Sequence, residues 1–205
     1  MAEQPDLPDP SSRHARLAVH YDVAKWIYCP RVFPPGHDVD SWSSFFAEAF
    51  SSRPLAAQLR AIHQYTYSNV ACHVCFIHQP SPQFTPLPVY MASWQSRGSR
   101  DEALRQLTNL GDPDSIQQPY ADEIKARYLG TGLRVLRYGA LPDDQEKIFA
   151  ALNYAWRVEE LETDVRVFAA TSGLGRLQAA MTDIDELVNV TRLVPKPAAA
   201  PVGEP

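Results

Sequence analysis

The sequence predicts an α+β fold in which an antiparallel sheet is packed by helices, in the manner of an α/β/α sandwich. Two observations lead to this prediction. Residues 120–170 alternate apolar and polar side chains over successive short stretches, which is the period of half-buried strands. Residues 174–191 instead carry apolar side chains at alternating spacings of three and four, which is the period of a helix suited to lie across that sheet.

The alternating region predicts a C-terminal meander of about four strands. The run Gly130-Thr131-Gly132 predicts a compact hairpin loop that sets Leu129 opposite Leu133, and a helix from Pro119 is the competing interpretation. In the next strand six apolar side chains point one way: Ile148, Ala150, Leu152, Tyr154, Trp156 and Val158. The stretch DVRVFAAT predicts the last strand before the closing helix.

The N-terminal half predicts further strands and helices. Three strands are predicted, from the stretches LAVHYDV, VACHVCFI and LPVYMASW. The last two are expected to form a hairpin with a long connection. Helical spacing of apolar residues predicts a helix that Asp40 caps: Trp42, Phe45, Phe46, Ala49 and Phe50. A second helix is expected from Pro54, and the Ser-x-x-Glu pattern at Ser99 predicts a third that ends at Gly111.

One folded domain is predicted over residues 16–194. The 205-residue chain is 45% hydrophobic and 21% charged, as is typical of a globular protein that needs no metal or disulfide to build its core. Residues 1–15 and the Pro/Ala-rich residues 195–205 cannot bury enough apolar area to offset their ordering entropy. We therefore expect both tails to be disordered.

Charge and hydropathy limit the expected partners and compartment. A net charge of −5 disfavours nucleic acid, because sequence-independent binding depends on Lys and Arg neutralising phosphates. No apolar run approaches the ~20 residues that span a bilayer, and the N-terminus lacks the pattern of a secretion signal. We therefore expect a cytoplasmic protein that binds neither nucleic acid nor membrane, with its three cysteines reduced.

Two stretches carry residue types that bind metals. In NVACHVCFIHQP, the alternation of a strand directs Cys72 and Cys75 to opposite faces, which favours structural thiols over a metal or redox site. In GHDVD, residues 36–40, His37, Asp38 and Asp40 form either a divalent-cation site or a helix-capping turn, and the turn is the simpler interpretation. We predict neither a metal nor a cofactor.

The turn that leads into the final helix is one candidate site. In ATSGLGR, residues 170–176, backbone amides at a helix start can bind a phosphate or carboxylate. The residues of this predicted anion-binding turn are Thr171, Ser172, Gly173 and Gly175. A glycine turn capped by a hydroxyl is the alternative, because the full phosphate-binding patterns are absent from this stretch.

A basic, partly aromatic sheet surface is the other candidate. It would be formed by residues that face away from the apolar row of the meander: Lys125, Arg127, Arg137, Asn153, Arg157, Arg166 and Phe168. A face that is merely solvated is the alternative, since antiparallel sheets are commonly polar on one side. This surface is the first to test for binding of a ligand or partner.

The predicted function is a non-catalytic protein-binding or adaptor module. Motifs such as Gly-x-Ser-x-Gly and His-Glu-x-x-His are absent from the sequence, which favours binding over catalysis and leaves an enzyme open. The expected partner is another protein. The alternative function is a sensor or enzyme for a small anionic ligand held by the Thr171–Gly175 turn and nearby arginines.

The order of strands followed by the helix LGRLQAAMTDIDELVNVTRLV resembles the PsbP-like superfamily, which includes photosystem II extrinsic subunits, a Ran-binding factor and mycobacterial LpqN-type lipoproteins. The stretches LGTGLRVLRY and IDELVNVTRLVP are similar to cytoplasmic proteins of actinobacteria. Unlike the LpqN-type proteins, this chain is expected to lack a lipoprotein signal. The resemblance implies an α/β/α sandwich that binds partners and does not catalyse a reaction.

Overall fold

A computed structural model describes residues 15–69, 72–141 and 144–195 of the chain. The elements in these ranges are, in chain order, β1 (Ala15–Val19), β2 (Trp26–Cys29), α1 (Val39–Ala49), α2 (Arg53–Asn69), β3 (Val74–His78), β4 (Leu87–Gln95), α3 (Arg100–Thr108), β5 (Tyr120–Ala126), β6 (Gly130–Leu141), β7 (Asp144–Val158), β8 (Thr163–Thr171), α4 (Leu174–Asn189) and β9 (Thr191–Pro195). The predicted α+β class is confirmed.

The strands form two antiparallel sheets. The larger has seven strands in the order β2-β3-β4-β8-β7-β6-β5, and the smaller pairs β1 with β9. Strands β5 to β8 are neighbours in chain order, so the predicted C-terminal meander is present. The competing helix from Pro119 is absent from the described chain, where residues 120–126 are strand β5.

One face of the large sheet, here called the first face, packs against α4. Tyr154 and Trp156 on β7 are fully buried there, with their rings stacked at 5.8 Å. Leu177 and Ile184 of α4 belong to the same apolar core. The central residues of the predicted β7 row and of the predicted helical stripe therefore meet, as the period-two and period-3.6 patterns require. The first residue of each set, Ile148 and Leu174, is exposed.

The opposite face of the large sheet, here called the second face, is covered by the other three helices. Leu55 and Leu59 of α2 pack with Ile27, Ile77 and Tyr90 of β2, β3 and β4 in a separate apolar cluster. Helix α3 lies farther along this face, against β6 and β7. Helices thus cover both faces of the sheet, and the sandwich architecture is confirmed.

Helix α1 begins two residues earlier than the sequence predicted, because Asp38 and not Asp40 is its cap. The Asp38 carboxylate accepts a hydrogen bond from the Ser41 amide at 2.8 Å, and the Ser41 hydroxyl accepts one from the Asp38 amide at 2.9 Å. This reciprocal pair is a capping box with serine in place of the usual Glu or Gln. Asp40 lies in the first turn and pairs with Arg60.

The hairpin between β5 and β6 differs from the prediction. Ala126 pairs with Gly130, so the loop is residues 127–129, and the Gly130-Thr131-Gly132 run belongs to β6. Gly130 has φ +75°, the left-handed conformation that ends a common type of three-residue hairpin loop and that glycine adopts without strain. Lys125 consequently pairs with Thr131 instead of lying opposite Arg137.

Strand β9 is an element that the sequence analysis did not predict. Thr191, expected to end the helical stripe, is the first residue of β9 and pairs with Val19 of β1. The small sheet also pairs Ala15 with Pro195, two residues that the sequence analysis assigned to the tails. The rest of both predicted disordered tails lies outside the described residues.

Candidate functional site

Five residues of the predicted basic surface lie on the second face of the large sheet, and three of them are buried. The β7–β8 register places Asn153 opposite Phe168, and Arg157 opposite Asp164. Asn153 is 0% exposed, and Arg137 and Arg157 are each 8% exposed. The predicted solvated face is wrong for Arg137, Asn153 and Arg157, because helices also pack on this side of the sheet, whereas Arg166 and Phe168 are partly exposed.

Lys125 and Arg127, the other two cations of the predicted surface, lie apart from these five. Both are exposed at β5, the outermost strand of the sheet, or in the loop that follows it. The Arg127 amide donates a hydrogen bond to Asn189 of α4 at 2.9 Å, and the guanidinium stacks on the Tyr128 ring. The revised hairpin register is the reason, since it moves Lys125 six residues along β6 from Arg137.

Arg157 is held by interactions that stabilise the fold. Its Nε and Nη2 donate to the two carboxylate oxygens of Asp164 at 2.7 and 2.9 Å. Its remaining donors reach the carbonyl oxygens of Arg97 and Gly98, both at 2.8 Å, in the segment before α3. Arg157 therefore ties β7 and β8 to this segment, and each of its three guanidinium nitrogens donates at least one hydrogen bond.

Arg137, Asn153 and Arg166 form a group on the second face that we call the arginine cluster. Arg166 Nη2 donates to Asn153 Oδ1 at 3.0 Å, across β8 and β7. Arg137, on the neighbouring β6, forms an ion pair with Asp112 through Nη1 and Oδ2 at 2.6 Å. The three side chains thus run diagonally across three adjacent strands.

Several donors of the arginine cluster lack a partner. Within the described part of the chain, Arg137 Nε, Asn153 Nδ2 and Arg166 Nε are buried without a hydrogen-bond acceptor. Buried donors of this kind normally have a hydrogen-bond partner, because a buried donor without one costs about 1–3 kcal/mol. Burial, together with the nearby positive charge of Arg137, also lowers the pKa of Arg166 to about 10.

Aromatic rings flank both guanidinium groups of the cluster. Arg166 lies over the ring of Phe168 at 5.0 Å, and Arg137 lies over the ring of Phe149 at 5.4 Å. Phe168 also stacks on Tyr90, which belongs to the apolar cluster beneath α2. Arg166, Phe149 and Phe168 are partly exposed, so the cluster borders solvent at these side chains, while its unpartnered donor atoms are covered.

The predicted anion-binding turn lies at the start of α4, on the surface. Ser172, Gly173 and Gly175 are exposed, and the Thr171 hydroxyl accepts a hydrogen bond from the Gly173 amide at 3.0 Å. The adjacent Arg176 turns away, donating to the carbonyl oxygens of Thr85 and His78. The Thr171 hydroxyl thus closes the glycine turn, but Gly173 is the cap of α4 and no side chain caps the helix. Anion binding at this turn stays a prediction.

A buried histidine couples α4 to strand β3, a contact that the sequence analysis missed. His78 is 1% exposed, with Nε2 2.7 Å from Asp183 Oδ2 and Nδ1 2.9 Å from Arg176 Nη1. Because a guanidinium can only donate, Nδ1 is the acceptor and Nε2 carries the proton toward Asp183. His78 is therefore neutral here, while Lys25 pairs with Asp183 at 2.7 Å.

This arrangement predicts that the protein loses stability in mild acid. Burial lowers the pKa of His78 and the charge of Arg176 adds to this effect, which the hydrogen bond to Asp183 opposes. The unfolded histidine therefore takes up a proton below about pH 6.5, where the folded one does not. We expect the free energy of unfolding, measured in urea, to fall as pH decreases below that value. In His78→Gln this part of the decline should vanish, and identical pH profiles would contradict the prediction.

The three cysteines are buried free thiols. Cys29 and Cys75 are paired positions on β2 and β3, and burial is the main cause that raises the pKa of Cys72 to about 12. A thiol with a raised pKa is a weak nucleophile and a weak metal ligand at neutral pH. No grouping of three or more His, Cys, Asp or Glu residues suited to a metal ion occurs in residues 15–69, 72–141 and 144–195.

Comparison with known proteins relates this chain to others through its fold. No protein-family model matches the sequence, and no curated protein does. The structure is similar to that of LpqN, described as involved in cell envelope biogenesis of Mycobacterium tuberculosis. The TM-score is 0.51 with 8% sequence identity, over 91% of this chain and 87% of LpqN. The expected resemblance to LpqN-type proteins is thereby shown at the level of fold alone. None of the helices among the described residues is both long and apolar enough to cross a bilayer.

Proposed function

We propose that this protein is a non-catalytic binding module that docks another protein at the second face of its sheet. One observation supports the proposal, namely the arginine cluster with its unpartnered donors. Other arginines of the sheet region are used by the fold: Arg134 pairs with Asp122 and Asp185, and Arg157 with Asp164. Arg166 has an amide as its partner and no carboxylate within the described ranges, so its charge is available to a partner.

Binding of a small anionic ligand, as a sensor or an enzyme, is the second candidate function. The same unpartnered donors favour it, because they would serve a free anion as well as one carried by a protein. The Thr171–Gly175 turn contributes less to this candidate, since its neighbour Arg176 is engaged by backbone carbonyls and His78. The arginine cluster is therefore the place where both candidate functions are tested.

We also propose a cytoplasmic location in an actinobacterium and a distant relationship to the PsbP-like superfamily. The fold shared with LpqN supports such a relationship. The charge of −5 supports a protein partner over nucleic acid, because an acidic chain repels phosphates away from its local basic sites. LpqN is described as involved in cell envelope biogenesis, so the cell envelope is the rival location.

A charge reversal tests the docking proposal. Tagged protein used as bait in a lysate of its own organism is expected to recover one stoichiometric protein, and Arg166→Glu is expected to abolish the recovery by repelling an acidic partner. The matched control is Arg16→Glu, the same reversal at an exposed position of β1, which should recover the protein fully.

The outcomes of this test are distinct. Circular dichroism should show that Arg166→Glu is folded, since the new carboxylate can pair with the nearby Arg137. Recovery that is equal for both variants would overturn docking at the cluster. Loss of recovery in Arg127→Glu as well would extend the docking surface to the β5 edge. Arg157 is unsuited to this test because its replacement would leave the buried Asp164 carboxylate without its arginine partner.

A further inference from the structure

We propose that the arginine cluster binds a carboxylate, which the docked protein supplies from an acidic side chain or its C-terminus. This inference rests on the proposed function and names the chemical group that the docking surface recognises. It follows from three properties of the cluster: the hydrogen-bonding character of its unpartnered atoms, its charge balance and its flanking rings.

The unpartnered atoms of the cluster are all hydrogen-bond donors. Asn153 could offer both a donor and an acceptor, but its oxygen already accepts from Arg166 Nη2, and a guanidinium cannot accept. The amide orientation is therefore determined, and Nδ2 is the free end. Arg137 Nε and Arg166 Nε are donors by nature. The complementary ligand is a group that only accepts, which disfavours hydroxyls as the anchor. The positive charge of Arg166 then favours an anion over a neutral carbonyl.

The charge balance of the cluster selects a monoanion. Arg137 and Arg166 contribute two positive charges, and Asp112, paired with Arg137 at 2.6 Å, contributes one negative charge. Among the described residues this leaves one uncompensated positive charge, which sits on Arg166. A carboxylate neutralises it, whereas a phosphate group, which carries about −1.5 to −2 at neutral pH, would overcompensate beside the Asp112 carboxylate.

The rings beside the cluster favour a flat anion bound in the plane of the guanidinium. Phe168 covers one face of the Arg166 guanidinium at 5.0 Å, so an anion approaches the donor edge instead of that face. Carboxylates are planar and bind guanidinium edges through paired hydrogen bonds, which are among the stronger hydrogen bonds in proteins. Asn153 Nδ2, beside this edge, would bind the same group or its second oxygen.

A titration with a small carboxylate tests the inference directly. The probe is N-acetylglycine, compared with N-acetylglycinamide, which lacks the charge, and with inorganic phosphate at matched ionic strength. In NMR spectra, we expect N-acetylglycine to shift the proton signals of Arg166 Nε–H and Asn153 Nδ2–H until the site is saturated. N-acetylglycinamide should leave these signals unchanged. Arg166→Met should weaken binding by about tenfold or more, as expected for loss of a hydrogen bond to a charged group. Arg16→Met should bind as the wild type does.

A second variant supplies the proposed ligand group from inside the protein. Asn153→Asp places a carboxylate of the same size beside Arg166, at a position that is 0% exposed. If the cluster is built to receive a carboxylate, this variant should melt at a higher temperature than the wild type and lose N-acetylglycine binding. A lower melting temperature, as expected for a buried carboxylate that no cation neutralises, would overturn the inference.

The outcomes separate this inference from the proposed function. No saturable shift with N-acetylglycine, or equal binding of the uncharged amide, would overturn the carboxylate site even if an Arg166-dependent protein partner is recovered. Tighter binding of phosphate would overturn it in favour of a dianion. Saturable carboxylate binding in a protein that recovers no partner would uphold the site and overturn docking of a protein.

Discussion

Replacing Asp164 by Asn is expected to lower the free energy of unfolding by about 3–5 kcal/mol. Asp164 is 6% exposed and binds Arg157 through both carboxylate oxygens, at 2.7 and 2.9 Å. It also accepts a hydrogen bond from the Ser96 hydroxyl at 3.0 Å. The substitution keeps the shape of the side chain but leaves the buried Arg157 guanidinium without its counter-charge. An unpaired buried charge lowers the free energy of unfolding by more than the energy of the lost contact.

Equilibrium unfolding in urea measures this effect, and the chain offers a matched control. Asp122→Asn removes a carboxylate that also pairs with an arginine of the sheet, Arg134, at 2.9 Å. The Asp122 side chain is 58% exposed, however, and Arg134 keeps a second partner in Asp185. An exposed pair of this kind contributes about 0–1 kcal/mol. Equal losses in the two variants would show that burial does not determine the effect.

Replacing Gly132 by Ala is expected to destabilise the protein by about 1–3 kcal/mol, the range found for overpacked cores. A Cβ atom at Gly132 would lie 2.5 Å from the carbonyl oxygen of Ala155 and would also overlap the indole of Trp156. The carbonyl belongs to the backbone of the adjacent β7 and cannot turn aside. The Trp156 ring is fully buried and stacked on Tyr154, so it cannot move without disturbing the core of the first face.

Gly175→Ala is the matched control for this prediction. Gly175 lies in the first turn of α4, and nothing lies within 4 Å of a Cβ atom added there. Alanine is favoured over glycine in helices by up to about 1 kcal/mol, so this variant should be as stable as the wild type or more stable. Thermal unfolding of the two variants side by side measures the difference. A Gly132→Ala variant that melts with the wild type would mean that β6 and β7 are not packed as described.

Elements with a clear period could be predicted from the sequence. The alternation of residues 148–158 and the three-four spacing of residues 174–188 each identify one buried side, and together they require a sheet packed by a helix. The capping of α3 by Ser99 was likewise correct, since its hydroxyl accepts from the Glu102 amide at 3.3 Å. Such features depend on residues close together in the chain, which the sequence displays directly.

Features that depend on contacts between distant segments could not be predicted. The polar positions of β6, β7 and β8 suggested a solvated surface, because nothing in their spacing shows that α1, α2 and α3 fold over it. Strand β9 is a strand because β1, more than 170 residues earlier, pairs with it. His78 and Asp183 are 105 residues apart in the chain, and no local sequence pattern predicts their hydrogen bond.

The sequence by itself determined that the region from residue 120 to residue 188 supplies a sheet and a covering helix to a layered α+β fold, because hydrophobic burial acts on each element through its own repeat. It could not distinguish Arg157 from Arg166, two arginines at equivalent polar positions of neighbouring strands. The tertiary structure decided between them through the β7–β8 register, which places Arg157 opposite Asp164 and Arg166 opposite Ala155. One arginine is thereby paired with a carboxylate within the fold, whereas the other has only the Asn153 amide as a hydrogen-bond partner among the described residues.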